Sequence, residues 1–172
     1  MWGEDTSNTE ENLKTAFAGE SQANRRYMAF SSKAERDGFP NVARMFRAIA
    51  EAETIHALNH YKALGMVRTT TENLEVTIEG EHYEVTEMYP PMVETAKKEV
   101  HKQGERSTHY ALETEKVHEQ MYKAALEKVK SGKDIETKSY YICPVCGYTF
   151  EGDDLPDICP ICKAKKESFM KF

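Results

Sequence analysis

The chain of 172 residues has no apolar run approaching the roughly 18 needed to cross a membrane as a helix. It also lacks the basic and then apolar opening of a secretory leader. Its first residues, "MWGEDTSNTEE", are polar and acidic. A cytoplasmic protein without a membrane partner is the expectation. Positive charge is in deficit, with a formal net charge of −6, which argues against nucleic acid as a partner. Cysteine is missing from the first 142 residues, and all four cysteines fall between 143 and 162. In a chain with no export signal, that cluster reads as a metal site rather than a disulfide framework.

What is present suits a globular protein, with 40% hydrophobic and 30% charged residues. Residues 9–37 read as a first helix, with Thr9 as N-cap and Asn12 three residues on. Leu13, Phe17, Ala23, Tyr27 and Phe30 recur at helical spacing. "DGFPN" (37–41) marks a turn, and a second helix runs from about 41 to 64 and stops at Gly65. Residues 66–79, rich in Thr and β-branched side chains, read as a crossing connection. A third helix spans about 80–103, kinked at Pro90 and Pro91, and Gly104 marks the next turn. A fourth spans about 105–131. Four helices with one long connection predict an all-α, ferritin-like four-helix bundle. A domain boundary near Thr137 separates residues 1–137 from a small module, 138–172.

The two helical halves echo one another. "IAEAETIH" (49–56) and "ALETEKVH" (111–118) share E-x-E-x-x-H. Residues three apart share a helix face, so Glu53 with His56, and Glu115 with His118, can each point at one cation. A lone E-x-x-H is usually a solvated pair, but two matched copies at equivalent positions are not so easily dismissed. A bundle that binds two metals needs further acids from the other two helices. Glu20 lies on the apolar face of Phe17, Ala23 and Tyr27, where a carboxylate is costly unless paired or metal-bound. Glu81 and Glu84 are the candidates on the third helix. Carboxylates bridge two cations, imidazole suits iron, and open positions accept an oxygen species. Glu51 and Glu113 face elsewhere and read as surface, and His60, His82, His101 and His109 as surface or supporting residues.

"CPVCGY" (143–148) and "CPIC" (159–162) form C-x2-C-x12-C-x2-C, two thiolate knuckles for one tetrahedral metal. Spacing alone leaves structural zinc and iron open. The proline after each first cysteine, with Gly147 and Tyr148, leans toward iron.

Taken together, "AGESQA", the two E-x-x-H motifs, "GEHYEVTEMYP" and "CPVCGY…CPIC" resemble the rubrerythrin family over nearly the whole chain, with a rubredoxin-like C-terminal module. The resemblance implies a di-iron site of Glu20, Glu53, His56, Glu81, Glu84, Glu115 and His118, with Glu53 and Glu115 bridging. One iron would exchange Glu84 for His56 on reduction. Tyr27 and Tyr89 would hydrogen-bond site carboxylates, and Cys143, Cys146, Cys159 and Cys162 would hold a mononuclear iron. Zinc or manganese can also be bound by these ligands. The implied activity is a non-haem di-iron peroxidase that reduces hydrogen peroxide to water and protects against oxidative stress. The four-cysteine iron relays electrons from rubredoxin or a separate NAD(P)H-dependent reductase. The implied assembly is a homodimer or higher homo-oligomer, helix-swapped in some members, in which the cysteine site of one chain serves the di-iron site of the other. Two readings compete: ferritin-like iron oxidation and storage with oxygen as oxidant, and a zinc-stabilised binding module.

Overall fold

A computed structural model describes residues 6–172, with side chains from Asn8 onward. Of the expected loose tail at 1–8, residues 1–5 lie outside the described residues, and 6–8 are already helical. Thr9 is therefore interior to the first helix rather than its cap. The chain divides into two compact units, the first ending at Arg68 and the second running Thr69–Phe172.

The first unit is a helical hairpin of α1 (Thr6–Arg36) and α2 (Pro40–Ala63). Its seam is made of small residues. Ala43, Ala50 and Ala57 recur every seventh position on α2 and are buried, as are Ala23, Ser31 and Ala34 on α1. Small side chains let the backbones approach closely enough for polar side chains of one helix to reach carbonyls of the other. Asn24 donates to Ala50 O at 2.6 Å and to Thr54 Oγ1 at 2.8 Å, and Ser31 donates to Ala43 O at 2.9 Å.

The second unit begins earlier than the sequence suggests. The Thr-rich stretch at 66–79 is mostly helix: α3 spans Thr70–Tyr83, leaving only 64–69 as connection. The expected long crossing is absent because Thr69 and Glu72 form a reciprocal capping box that starts the helix. Thr77 also satisfies its own hydroxyl on Asn73 O at 2.8 Å, so β-branched residues are accommodated inside the helix. A π turn, Glu84–Met88, joins α3 to α4 (Tyr89–Lys98). Its closing bond runs from Tyr89 N–H to Glu84 O, five residues back. The expected proline kink is thus taken up by a widened turn just before Pro90 and Pro91, which need no backbone donor there. The fourth long helix, α5, covers Lys102–Lys130. Buried Glu119 on α5 accepts from His82 Nδ1 (2.9 Å) on α3 and from Lys123 Nζ (2.6 Å), which ties α3 to α5.

The C-terminal module is a small antiparallel sheet in the order β2-β1-β3, made of β1 (Tyr140–Ile142), β2 (Thr149–Glu151) and β3 (Met170–Lys171). Tyr141 pairs with Phe150, and Ile142 with Thr149. No described helix is long and apolar enough to cross a membrane.

Four helices end in the same way. The second residue past the helix turns left-handed, and two backbone bonds close over it. Gly38, Gly65 and Gly132 fill that position with φ of 83°, 68° and 72°. After α4 the position is held by Val100, with φ of 56°. Gly104, expected to make this turn, instead lies within α5. There its missing Cβ leaves room for the capping imidazole of His101, whose Nδ1 accepts from Gly104 N at 2.9 Å. A β-branched residue in the left-handed region costs about 1–2 kcal/mol, and Val100 is 71% exposed, so its side chain returns little. Val100→Gly is expected to raise unfolding stability by roughly 1 kcal/mol, measured by chemical denaturation.

Candidate metal centres

Each unit carries a three-ligand cluster on facing helices. In the first unit, Glu20 of α1 meets Glu53 and His56 of α2, with ligand atoms within 4.8 Å of one another. His56 Nδ1 lies 2.9 Å from Glu53 Oε2. The Glu53 side chain is 15% exposed and His56 is 55% exposed, so the imidazole has one local partner and room to move. In the second unit, Glu81 of α3 meets Glu115 and His118 of α5 within the same limit. His118 Nδ1 lies 2.6 Å from Glu115 Oε2. Glu84, where the π turn begins, stands outside that trio but is close enough to feel the charge of Glu115.

The electrostatics of the second cluster are those of a site built for a cation. Burial, followed by the hydrogen bond and charge of Glu115, pushes the Glu81 carboxyl up to about 7. Burial and the Glu115 charge raise Glu84 as well. Glu115 itself is held low by its hydrogen bond from His118, and His118 is raised by the same bond. One oxygen of Glu81, Oε2, is buried with no hydrogen-bond partner. A partnerless buried carboxylate oxygen between two more donors is what a metal-binding set looks like with only protons to hold it. These residues fit a metal.

Other expected residues fall as follows. Tyr89 is raised by burial and then by Glu84, Glu115 and Glu81, so its phenol lies in the field of the carboxylates. Tyr27 packs with Phe30 and Phe46, ring centroids 6.4 and 6.2 Å away. Glu51 is exposed, and Glu113 pairs with Lys116 at 2.7 Å. His82 and His101 have the structural roles given above. Sequence reasoning missed Tyr122, whose phenol is raised by burial and then by Glu81 and Glu115. It lies one helical turn beyond His118, a spacing that could have flagged it.

The four cysteine sulfurs also lie within 4.8 Å of one another. Cys143 and Cys162 approach to 3.4 Å, and Cys146 and Cys159 to 3.6 Å, as free thiols. A tetrahedral ion with metal–sulfur bonds of about 2.3 Å sets neighbouring sulfurs roughly 3.8 Å apart. Two similar knuckles hold them. Gly147 N donates to Cys143 O and Lys163 N to Cys159 O, and both donors are left-handed, at φ of 82° and 65°. Burial pushes the Cys146 and Cys162 thiols up. Burial opposes ionisation of Cys159 too, but backbone N–H groups of Cys162 and Ile161 hold it down.

This module docks on α5 of its own chain. Thr114 Oγ1 lies 3.0 Å from Cys146 O and 2.8 Å from Tyr110 O. Thr149 Oγ1 lies 2.8 Å from His118 Nε2. A cavity of about 530 Å³ is lined by Arg106, Tyr110, Thr114, Glu115, His118 and Cys146, so residues of both centres share one wall. Spacing in the sequence carried no sign of Thr114 or Thr149, because their partners lie on another element.

The proton on Glu81 sets a pH dependence. Its folded value lies above its unfolded one, so its stabilising contribution is full below about pH 4.5 and is lost as pH rises through about 7. His118, also raised, acts in the same direction. Metal-free protein is expected to lose thermal stability between about pH 5 and pH 8. Glu81→Gln, which has no proton to release, should flatten that loss.

Comparison with known proteins assigns both parts of the chain. A family model described as rubrerythrin matches residues 11–126, and one described as the rubrerythrin rubredoxin-like domain matches 141–170. Rubrerythrin-2 of Clostridium acetobutylicum is 41% identical, with 93% of this chain and 94% of that protein covered. Rubrerythrin of Nitratidesulfovibrio vulgaris is 34% identical over 95% and 93%. Among solved structures, fully reduced, all-ferrous nigerythrin superposes with a TM-score of 0.57 at 31% identity, covering 98% of this chain and 89% of that one. The all-α, ferritin-like class with a small four-cysteine domain and the two kinds of iron site agree with these matches. The chain belongs to the rubrerythrin family, di-iron oxidoreductases with a rubredoxin-like domain.

Proposed function

We propose that the protein is a peroxidase that reduces hydrogen peroxide to two waters, taking up two electrons and two protons. The observation that carries this reading is the docking of the four-cysteine module on α5, the helix that bears Glu115 and His118. A one-electron iron beside a carboxylate–histidine site serves repeated reduction, whereas iron storage would leave it idle. Bound iron supplies the two one-electron reducing equivalents that the O–O bond takes up.

In this reading Glu20, Glu53, His56, Glu81, Glu84, Glu115 and His118 would hold the di-iron pair. Cys143, Cys146, Cys159 and Cys162 hold the mononuclear iron. The exposed His56 and the outlying Glu84 are the two of these residues that would be freest to bind or leave a metal. Glu81, which burial and its neighbour Glu115 make the carboxyl of the cluster readiest to hold a proton when no metal does, would be the residue suited to carry protons at this site. Tyr27 and Tyr89 steady site carboxylates. Functionally, residues 1–137 form the di-iron domain and 138–172 the electron-relay domain. Electrons come from rubredoxin or an NAD(P)H-dependent reductase. A cytoplasmic setting suits four cysteines kept as thiols for metal.

The chain works as a helix-swapped homodimer. A ferritin-like crossover must run the length of its helices, and α2, at 24 residues, is about 36 Å long. The connection 64–69 reaches at most about 20 Å. In such a dimer each centre would take Glu20, Glu53 and His56 from one copy and Glu81, Glu84, Glu115 and His118 from a second.

Two experiments test these claims. Fully reduced protein is mixed with peroxide while the absorption of the thiolate-bound iron is followed. That iron is expected to oxidise as peroxide is consumed, and its remaining reduced would refute the relay. In the second, Glu53→Ala and Glu115→Ala chains are refolded together. Swapped heterodimers regain intact centres, about a quarter of the wild-type number for random pairing. Without swapping, no intact centre forms and activity stays absent.

A further inference from the structure

We propose that Thr149 is a positioning residue that couples the four-cysteine module to the histidine of the carboxylate centre. The inference rests on the metal-binding reading above and adds a link between the two centres. Thr149 is the first residue of β2 and is 9% exposed. Its hydroxyl has two neighbours: Gly147 O at 3.2 Å and His118 Nε2 at 2.8 Å. A carbonyl can only accept, so a hydroxyl proton directed to Gly147 O leaves an oxygen lone pair for His118. With a metal on Nδ1, Nε2 is the nitrogen that keeps a proton, and it donates to that lone pair.

That choice determines the other end of the ring. Nδ1 is left to face Glu115 Oε2 at 2.6 Å, inside the ligand cluster. A cation that displaces the proton held between them meets Nδ1 and the carboxylate already aligned. A ligating imidazole generally needs a partner on its other nitrogen to fix tautomer and ring plane. Here the partner comes from the other metal's domain.

Thr149 keeps its place only while that domain is folded. It lies three residues after Cys146 and pairs with Ile142, the neighbour of Cys143. A module this small depends on its metal to fold. Filling the cysteine site therefore sets Thr149, and Thr149 sets His118. Thr114, 2% exposed and one helical turn before His118, anchors the same knuckle through Cys146 O without touching the imidazole. Docking and ligand alignment thus use different hydroxyls and can be separated.

The test uses the full chain with iron in the cysteine site and cobalt(II) titrated into the carboxylate site, read by calorimetry and by cobalt absorption. Thr149→Val is expected to weaken cobalt binding about tenfold, with thiolate–iron absorption unchanged, and Thr149→Ser to restore it. Cys143→Ser/Cys162→Ser, which empties the module, should weaken cobalt binding by a similar factor. Adding Thr149→Val to that variant should cost nothing more, since both remove one coupling. Unchanged affinity in Thr149→Val overturns the proposal. A loss that serine does not restore, or additive losses in the combined variant, overturns it too. Cobalt binding consumes no peroxide, so failure of the peroxidase reading would leave this result standing.

Discussion

Two carboxyl groups held together in a half-buried helix pair repel one another if both are charged, and each loses solvation as well. Glu81 and Glu115 are in that position, and without metal the protein answers with a proton on Glu81 and an imidazole against Glu115. Most of the second unit can be understood from that constraint. The capping box at Thr69 and the Glu119 tie to His82 and Lys123 hold α3 against α5, which keeps the two acids together. A cation removes the conflict that a proton only postpones. The site thereby prefers metal while keeping groups that take up and release protons.

The cysteine module makes the same exchange with thiols. Burial disfavours thiolate at Cys146 and Cys162, while backbone N–H groups favour it at Cys159. The sulfurs lie close to the spacing that one tetrahedral ion sets. The cluster of Glu81, Glu115 and His118 and the four-cysteine site belong to one compact unit, and α5 carries ligands of the first while receiving the backbone of the second.

Much of this was legible in the sequence wherever the physics is local. A glutamate and a histidine three apart must share a face, so each E-x-x-H could be read before any fold was known, and the knuckles likewise announce themselves by spacing. Helix boundaries were less legible where two local signals competed. Threonines at 69–71 and 77 suggested extended chain, yet Thr69 caps a helix and Thr77 bonds its own turn. Gly104 looked like a turn, but the left-handed position is Val100, and the glycine makes room for His101. Thr114 and Thr149 were invisible for another reason: their importance comes from partners on other elements, which no periodicity records.

The π turn at Glu84–Met88 has an effect well beyond its own five residues. One extra residue in a helix rotates everything after it by about 100°. Val93 and Ala96, the buried residues of α4, lie downstream of that rotation. Deleting any single residue between 84 and 88 would restore ordinary helical winding and carry both side chains off the buried face. The phase of α4 is thus set by the segment that presents Glu84, so the position of one carboxylate and the packing of the next three turns are inherited together or lost together.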